Sequence, residues 1–455
     1  MHVAVIDLGK TNSKVALVDT SQAKEIQVVT QSAAVNTQTP YPSLDHQVIE
    51  NFICSSLETL ANQHSVDAIT VTTHGATAAL LDAHGDLALP VLDYEYRGID
   101  DLRESYNQHR PPFPLTGSPA LPGGLNIGAQ LYWLQKKYPA QFAKVSTILT
   151  WPQYWIHLLT GEKYNDVTSL GCHTDLYEPL GQQYSTLVDA NGWRPLMPPT
   201  RHSGSLCGSL RPSVARRTSL PLTTPVHMGI HDSNASLVPH LIAQEPPFSV
   251  VSTGTWFITM SIGGNTISLD EHRDTLINVN AYGEAVPSAR FMGGRERNLL
   301  GAAQPATETA LNKLLAAEAP LILLPSVVPD TGPYPSALTQ WVNNTSDPLA
   351  RSCAITLYLS LMTHECMKLI GSDGTTFIEG PLAQDRHYAE MLAAITNRPV
   401  QSSGSQTGTS VGAAMLISAP ASSSTYTKIE VNKHRQEQLR RYANRWLEQL
   451  HIHSM

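Results

Sequence analysis

Four short stretches carry acids, bases and anion-binding groups at spacings where they can do chemistry: "DLGKTN" (7–12), "THGAT" (73–77), "LDYEYRG" (92–98) and "GIHDSNAS" (229–236). The first contains the Gly9-Lys10-Thr11 triplet of a phosphate-binding P-loop, but the glycine required five positions earlier is Ala4. The flanking runs, Val3-Ala4-Val5-Ile6 and Val15-Ala16-Leu17-Val18, are short and apolar, so Gly9-Lys10-Thr11-Asn12 reads as the turn of a β-hairpin. Such a turn can still hold phosphate, because glycine permits close approach and exposes amide donors. Asp7 beside it would repel an anion unless a cation lay between them, which points to Mg²⁺ held through water. A surface hairpin with an ordinary turn is the alternative.

Asp232 follows the apolar stretch Pro225–Ile230 and sits among small residues, where a carboxylate can approach a substrate hydroxyl as a general base. It fits equally the N-cap of a short helix starting at Ser233. His227 and His231 are core histidines or substrate contacts. Thr73, His74 and Gly75 end a strand, where a neutral imidazole can exchange hydrogen bonds with sugar hydroxyls or be satisfied in the core. Gly75 and Ala76 leave the loop without bulk after His74, which predicts room for a substrate larger than a triol. Asp93, Tyr94 and Glu95 mix acceptors with a flat ring, suited to a sugar's hydroxyls and C–H surface, or else form a solvated loop.

The elements that must position these groups alternate. Extended chain at 26–30, a helix over 47–63, a strand over 68–72 and a hairpin turned at 84–86 precede a helical region from 98 to 161. Strand ends followed by small residues are where ligands meet α/β sheets. Gln244-Glu245-Pro246-Pro247 breaks the chain, which predicts domains at 1–243 and 244–455. The second half repeats the opening pattern, with strands 248–252 and 256–260 around the turn Thr253-Gly254-Thr255. It then gives a strand, the turn Gly380-Pro381, a helix from Gln384 to Thr396, and a small-residue loop from Gly404 to Gly412 leading into a helix whose N-terminus favours anions. Leu439, Tyr442, Trp446, Leu447 and Leu450 form a terminal helical stripe for packing.

With 30 basic against 38 acidic residues and no long basic block, nucleic acid and anionic membrane are excluded as expected partners. No apolar run reaches the length of a membrane span, and a strand begins within three residues of the N-terminus, so a cytoplasmic protein without a signal peptide is expected. The five cysteines are scattered without a C-x-x-C pair and read as reduced, mostly buried thiols.

In order along the chain, "DLGKTNSK", "THGAT", "GIHDSNAS", "STGTW", "EGPLAQ" and "GTSVGAAM" resemble the motifs of the FGGY family of carbohydrate kinases, over nearly the whole length. "HDSNAS", "STGTW" and "FMGGRE" lean toward its rhamnulokinase-like and fuculokinase-like members, "THGAT" toward xylulokinase-like ones. The chain departs from the family at Lys10, where threonine is usual, at Lys14, where arginine is commoner, and at Glu379-Gly380-Pro381, which replaces a glycine run. The resemblance implies an α/β fold of two actin-like, ribonuclease H-like domains with a central cleft, the first for sugar and the second for nucleotide. It implies ATP and Mg²⁺ as cofactors and a small-molecule sugar as substrate, with a homodimer left open. Gly9, Lys10, Thr11, Asn12, Lys14, Gly254 and Thr255 would serve the phosphates, Gly380, Pro381, Gln384 and Gly408 the adenosine, and Asp7 the metal. Thr73, His74, Gly75, Asp93, Tyr94, Glu95 and His231 would contact the sugar, and Asp232 would be the base. A non-catalytic sugar sensor on the same fold and an ATPase acting on another substrate are the competing readings.

Overall fold

The computed structural model describes all residues except 34, 302–304, 404–407, 421–425 and 454–455. The strands His2–Leu8 and Asn12–Asp19 pair antiparallel around the Gly9–Thr11 turn, and Lys24–Ser32 continues the meander. On its other side His2–Leu8 pairs in parallel with Ala68–Thr73. The first two strands are apolar over residues 3–6 and 15–18, where both faces of the sheet are covered. Ala4, Ile6 and Leu8 point into one core with Ile49, Phe52 and Leu57 of the helix His46–Gln63. Val3 and Val5 point into another, with Ala235 and Val238 of the helix Asp232–Ala243 and Val411 and Ala414 of the helix Thr409–Met415. Period-2 alternation divides one strand between two cores.

The sheet continues through Pro225–His227 to Leu206–Ser209, and Ile230–His231 pairs separately with Ala68–Thr73. The apolar stretch 225–230 is therefore two short strands broken at Met228-Gly229. A Cβ on Gly229 would lie 2.8 Å from the Val71 carbonyl oxygen, so the break passes too close to the neighbouring strand for a side chain. The strand Ala78–Leu81 pairs with Thr147–Thr150, an element hidden within the apparently helical region, and Leu131, Trp133, Tyr154 and Trp155 are buried as core.

The second sheet runs in the order Thr275–Val279, Ala285–Phe291, Phe257–Ile262, Phe248–Thr253, Thr375–Glu379, Val400–Ser403, Tyr426–Lys428. Phe248–Thr253 is antiparallel to Phe257–Ile262 and parallel to Thr375–Glu379. This is the plan of the first sheet, with an antiparallel hairpin feeding parallel strands. The helix Pro348–Leu369 is buried along most of its length in the core of this half. In the terminal helix Lys433–His453, Leu439, Tyr442, Trp446 and Leu450 are buried, but Leu447 is 42% exposed. One residue beyond Trp446 is about 100° around a helix, which carries Leu447 off the stripe. The helix expected from Gln384 starts at Arg386 under an Asp385 N-cap, and Gln384 closes a preceding 3₁₀ turn.

Two compact units emerge, Met1–Ala243 with Ile277–Ala285 and Thr407–Ser423, and Gln244–Leu276 with Val286–Gln406 and Ser424–Met455. A cut at 243/244 separates the two units apart from two segments, which pack with the first. The physical reason is packing, since Val279, Ala281 and Val411 to Met415 bury their apolar surface in the cores of the first unit. Gly412 makes one of these contacts possible: a Cβ there would lie 1.8 Å from the Ala235 carbonyl oxygen. Gly412→Ala is expected to destabilise the first unit by about 3 kcal/mol through overpacking. Urea unfolding measures this, and a loss under about 0.5 kcal/mol would mean the two helices separate freely.

Candidate active site

Register brings the candidate groups together in the first unit. Leu8 pairs with Thr73 on one side, and Thr73 pairs with His231 on the other, both in parallel. The residues that follow, Gly9, His74 and Asp232, thus leave three adjacent strands at one level, the position at which α/β sheets present ligand groups.

Asp232 opens the helix Asp232–Ala243, which is longer than the short helix expected, and its side chain is 31% exposed. Its Oδ1 accepts from the Ser233 amide at 2.6 Å and lies 3.2 Å from His231 Nε2. Among the described residues its contacts all run through Oδ1, leaving Oδ2 for a ligand. His231 is buried, and its backbone amide donates to Thr168 Oγ1, which in turn donates to the buried Asp166. Burial disfavours the charged His231 ring, but Cys172 and Asp232 outweigh it and raise its pKa to about 9. Burial likewise acts to raise the Cys172 thiol, yet His173 and His231 pull it down to about 5.

His74 is buried and held below the usual histidine range, chiefly by desolvation. Its Nδ1 lies 2.9 Å from the Gly75 carbonyl, which can only accept, so Nδ1 carries the proton and Nε2 keeps its lone pair. Its ring meets Tyr94 edge-on at 5.4 Å. Burial, then Glu95 and Asp232, push the Tyr94 phenol up to about 12, so it is a neutral donor. Thr73 is buried, with its hydroxyl spent on the His74 carbonyl. The room expected at Gly75 is not there: a Cβ would lie 2.8 Å from His231 Nε2 and 3.8 Å from Cys172 Sγ. The missing side chain makes space for His231, not for a larger substrate.

The Gly9 amide closes its own turn by donating to the Asn12 carbonyl at 3.0 Å, while Thr11 and Asn12 are exposed. Lys10 turns to the 93–95 loop, where its Nζ donates to the buried Asp93, lies 3.4 Å from Glu95 and sits 4.8 Å above the Tyr94 ring. Lys14 bridges Asp7 at 3.3 Å and Glu25 at 2.9 Å. Asp7 Oδ2 also accepts from Thr409 and from Ser410 at 3.0 Å. The helix Thr409–Met415 therefore meets the carboxylate of Asp7 at its N-terminus, and Gly408, its N-cap, belongs to the first unit. Gly404 lies outside the described residues.

In the second unit the exposed turn Gly254-Thr255 lines a cavity of about 240 Å³ with Arg297 and Pro381. Gly380, at φ +81°, sits against Thr253, whose hydroxyl donates to the Glu379 carbonyl and accepts from the Leu382 amide at 3.0 Å. Gly294 lets its helix touch this turn, since a Cβ would lie 2.2 Å from the Gly254 oxygen. Gln384 donates to the Ser403 carbonyl. Cys172, His173, Thr168, Asn234, Thr409 and Ser410 escaped the sequence reading. "GCHTD" offered a signal in its adjacent Cys and His, but nothing in one dimension joins it to residue 231.

Removing Lys10 would strand the buried Asp93 carboxylate. Lys10→Met is expected to cost about 1–3 kcal/mol, reduced from the fully buried case by partial exposure, and Lys10→Met/Asp93→Asn should recover part of it. A double-mutant cycle in denaturant checks this, and an additive double mutant would show the pair to be energetically uncoupled.

Residues 2–239 match the description "FGGY family of carbohydrate kinases, N-terminal domain", and 245–425 match "Carbohydrate kinase FGGY, C-terminal domain". L-fuculokinase of Salmonella typhi is 30% identical over 277 residues, 58% of this chain and 57% of that enzyme, so the chain matches little more than half the length of that relative. A carbohydrate kinase from Novosphingobium aromaticivorans has a TM-score of 0.92 at 35% identity, covering 100% of this chain and 99% of that one. Xylulose kinase from Lactobacillus acidophilus, at 14% identity and a TM-score of 0.78 over 98% of this chain and 97% of its own, shares the fold. Two matched domains that together span most of the sequence, on a two-domain α/β fold, place this chain in the FGGY family of carbohydrate kinases.

Proposed function

We propose that the chain is an ATP-dependent kinase that phosphorylates a terminal hydroxyl of a five- or six-carbon ketose, of the L-fuculose, L-rhamnulose or pentulose type. The observation that carries the reading is Asp232, half-exposed at a strand end beside His74, with Oδ1 held by Ser233 and His231 and Oδ2 open. Mg-ATP supplies the phosphoryl group, and catalysis of such transfers is mostly positioning and charge stabilisation.

In this reading Asp232 Oδ2 accepts the proton of the attacking hydroxyl. The lone pair of His74 Nε2 and the neutral phenol of Tyr94 give the sugar one acceptor and one donor. Asp93 is committed to Lys10, which fixes the loop and leaves the exposed Glu95 as its freer carboxylate. Lys10 and Lys14 are both engaged by carboxylates, so the first turn would hold phosphate by its backbone, and Gly254-Thr255 would do the same in the second unit. Gly380, Pro381, Gln384 and Gly408 would serve the adenosine. The donor set at Asp7 fits Mg²⁺, which keeps several waters and needs few carboxylates, because hydroxyls and Lys14 use Oδ2 and leave Oδ1 for a hydrated cation. Among the described residues no helix is long and apolar enough to cross a membrane.

Asp232→Asn is expected to keep the fold and nucleotide affinity while lowering kcat by about 10² or more. Turnover within a few-fold of the unmodified protein would remove Asp232 as the base. Among glycerol, L-fuculose, L-rhamnulose, L-ribulose and D-xylulose, glycerol is expected to be poor, because a short substrate leaves buried polar groups unpaired at about 1–3 kcal/mol each. His74→Ala should lower kcat/KM for the preferred ketose. Glycerol matching the best ketose, or ketose values untouched by His74→Ala, would overturn this assignment of the sugar site.

A further inference from the structure

The backbone just before Asp232 has little sheet to hold it. Ile230–His231 is a two-residue strand that pairs, among the described strands, with Ala68–Thr73 alone, and Met228-Gly229 breaks it from the strand before. A buried segment of this kind must find partners for the N–H and C=O groups that no strand takes. Side chains from two other elements supply them. The His231 amide donates to Thr168 Oγ1 at 3.0 Å, and the Gly229 carbonyl accepts from Gln153 Nε2 at 3.1 Å. Gln153 lies on the helix Trp151–Thr160 and Thr168 on the short helix Val167–Leu170. Both reach back to one carboxylate. Asp166 Oδ1 accepts from the Thr168 hydroxyl and from the Ser169 amide at 2.9 Å, and Oδ2 accepts from Gln153 Nε2 at 3.0 Å and the Thr150 hydroxyl at 3.4 Å. Gln153, Asp166 and Thr168 are all buried.

Donor and acceptor chemistry leaves this network one orientation. A carboxylate only accepts and a backbone amide only donates, so the Thr168 proton goes to Asp166 and a lone pair to His231. The Gln153 side chain faces a carboxylate and a carbonyl, both acceptors, so its nitrogen points at them. Its oxygen is left without a partner among the described residues, and the two bonds of the nitrogen are kept although a buried orphan acceptor is unfavourable. Gly229 fits the gap because it is bare: a Cβ there would lie 3.3 Å from Gln153 Nε2 and 2.9 Å from the Pro152 side chain.

We infer that Thr168 is a positioning residue: anchored on Asp166, and with Gln153 on the Gly229 side, it clamps the backbone at 229–231 and so fixes where the carboxylate of Asp232 stands at the strand end. The Thr168 hydroxyl is spent on Asp166 and His231, so it acts through Asp232 and takes no part in proton transfer. Misplacing a reacting group by about 1 Å can cost about 10²-fold in rate, so a clamp next to the base governs turnover more than binding. The role in turnover rests on Asp232 being the base, but the clamp does not.

Amide hydrogen exchange of the whole chain reads the clamp without any substrate. The His231 amide is expected to exchange slowly in the unmodified protein and about tenfold faster or more in Thr168→Val, which keeps the shape of the side chain and removes the hydroxyl. Fast exchange at His231 in the unmodified protein overturns the inference even if no variant folds. In kinetics, Thr168→Val should lower kcat about tenfold or more while KM for ATP and for the sugar stays within about threefold, and Thr168→Ser should restore most of the loss. In an Asp232→Asn background the same change should lower kcat by less than about threefold, because a residue that acts through the base has nothing left to position. Equal losses in the two backgrounds, or an unchanged kcat in folded Thr168→Val, overturn the positioning role. A chain inert on every sugar in which Thr168→Val still frees the His231 amide would defeat the kinase reading and keep the clamp.

Discussion

Everything at the candidate site depends on two parallel pairings of one strand. Ala68–Thr73 sets Leu8 and His231 at the level of Thr73, so the phosphate-type turn, the imidazole of His74 and the carboxylate of Asp232 emerge side by side. Backbone hydrogen bonds fix that alignment, and a slip of one residue would turn each of these side chains to the opposite face. The close approach then sets a steric condition. His231 occupies the volume a side chain at position 75 would need, so glycine there is a packing requirement of the site.

Charge in this unit is handled by pairing. Lys10 with Asp93 and Glu95, and Lys14 with Asp7 and Glu25, each place a cation against anions in partly buried surroundings. An isolated buried ion would be costly, and each pair offsets part of that desolvation. The arrangement also assigns roles. Two lysines that look free to grip phosphate are tied to carboxylates, and among the described residues the contacts of Asp7 and of Asp232 each run through one carboxylate oxygen. Pairing therefore determines which polar atoms remain for a ligand.

The two units use one sheet plan, in which an antiparallel hairpin feeds parallel neighbours through a small polar turn. Each turn is held by local chemistry suited to its place. Gly9 closes the first with its own amide, whereas the second is braced by the Thr253 hydroxyl and by the bare backbone of Gly294. Thr11 and Asn12 in the first turn, and Gly254 and Thr255 in the second, are exposed.

The sequence alone determined the local elements and the family. Both hairpins, the strand before His74 and the helix at 46–63 are written in apolar runs and turn residues, because strand and helix periodicity are properties of neighbours in the chain. Six motifs in order also carried the resemblance that the matched domains now establish. Tertiary structure decided the rest. Lys10 beside Asp93, and Thr409 and Ser410 on Asp7, join residues that are 83, 402 and 403 positions apart. It also decided that Gly75 yields its space to a histidine, that Leu447 lies off its stripe, and that segments 277–285 and 407–423 join the first unit. Such pairings are set by which strands run in parallel and how helices cover them, and residue type along one dimension does not encode that directly.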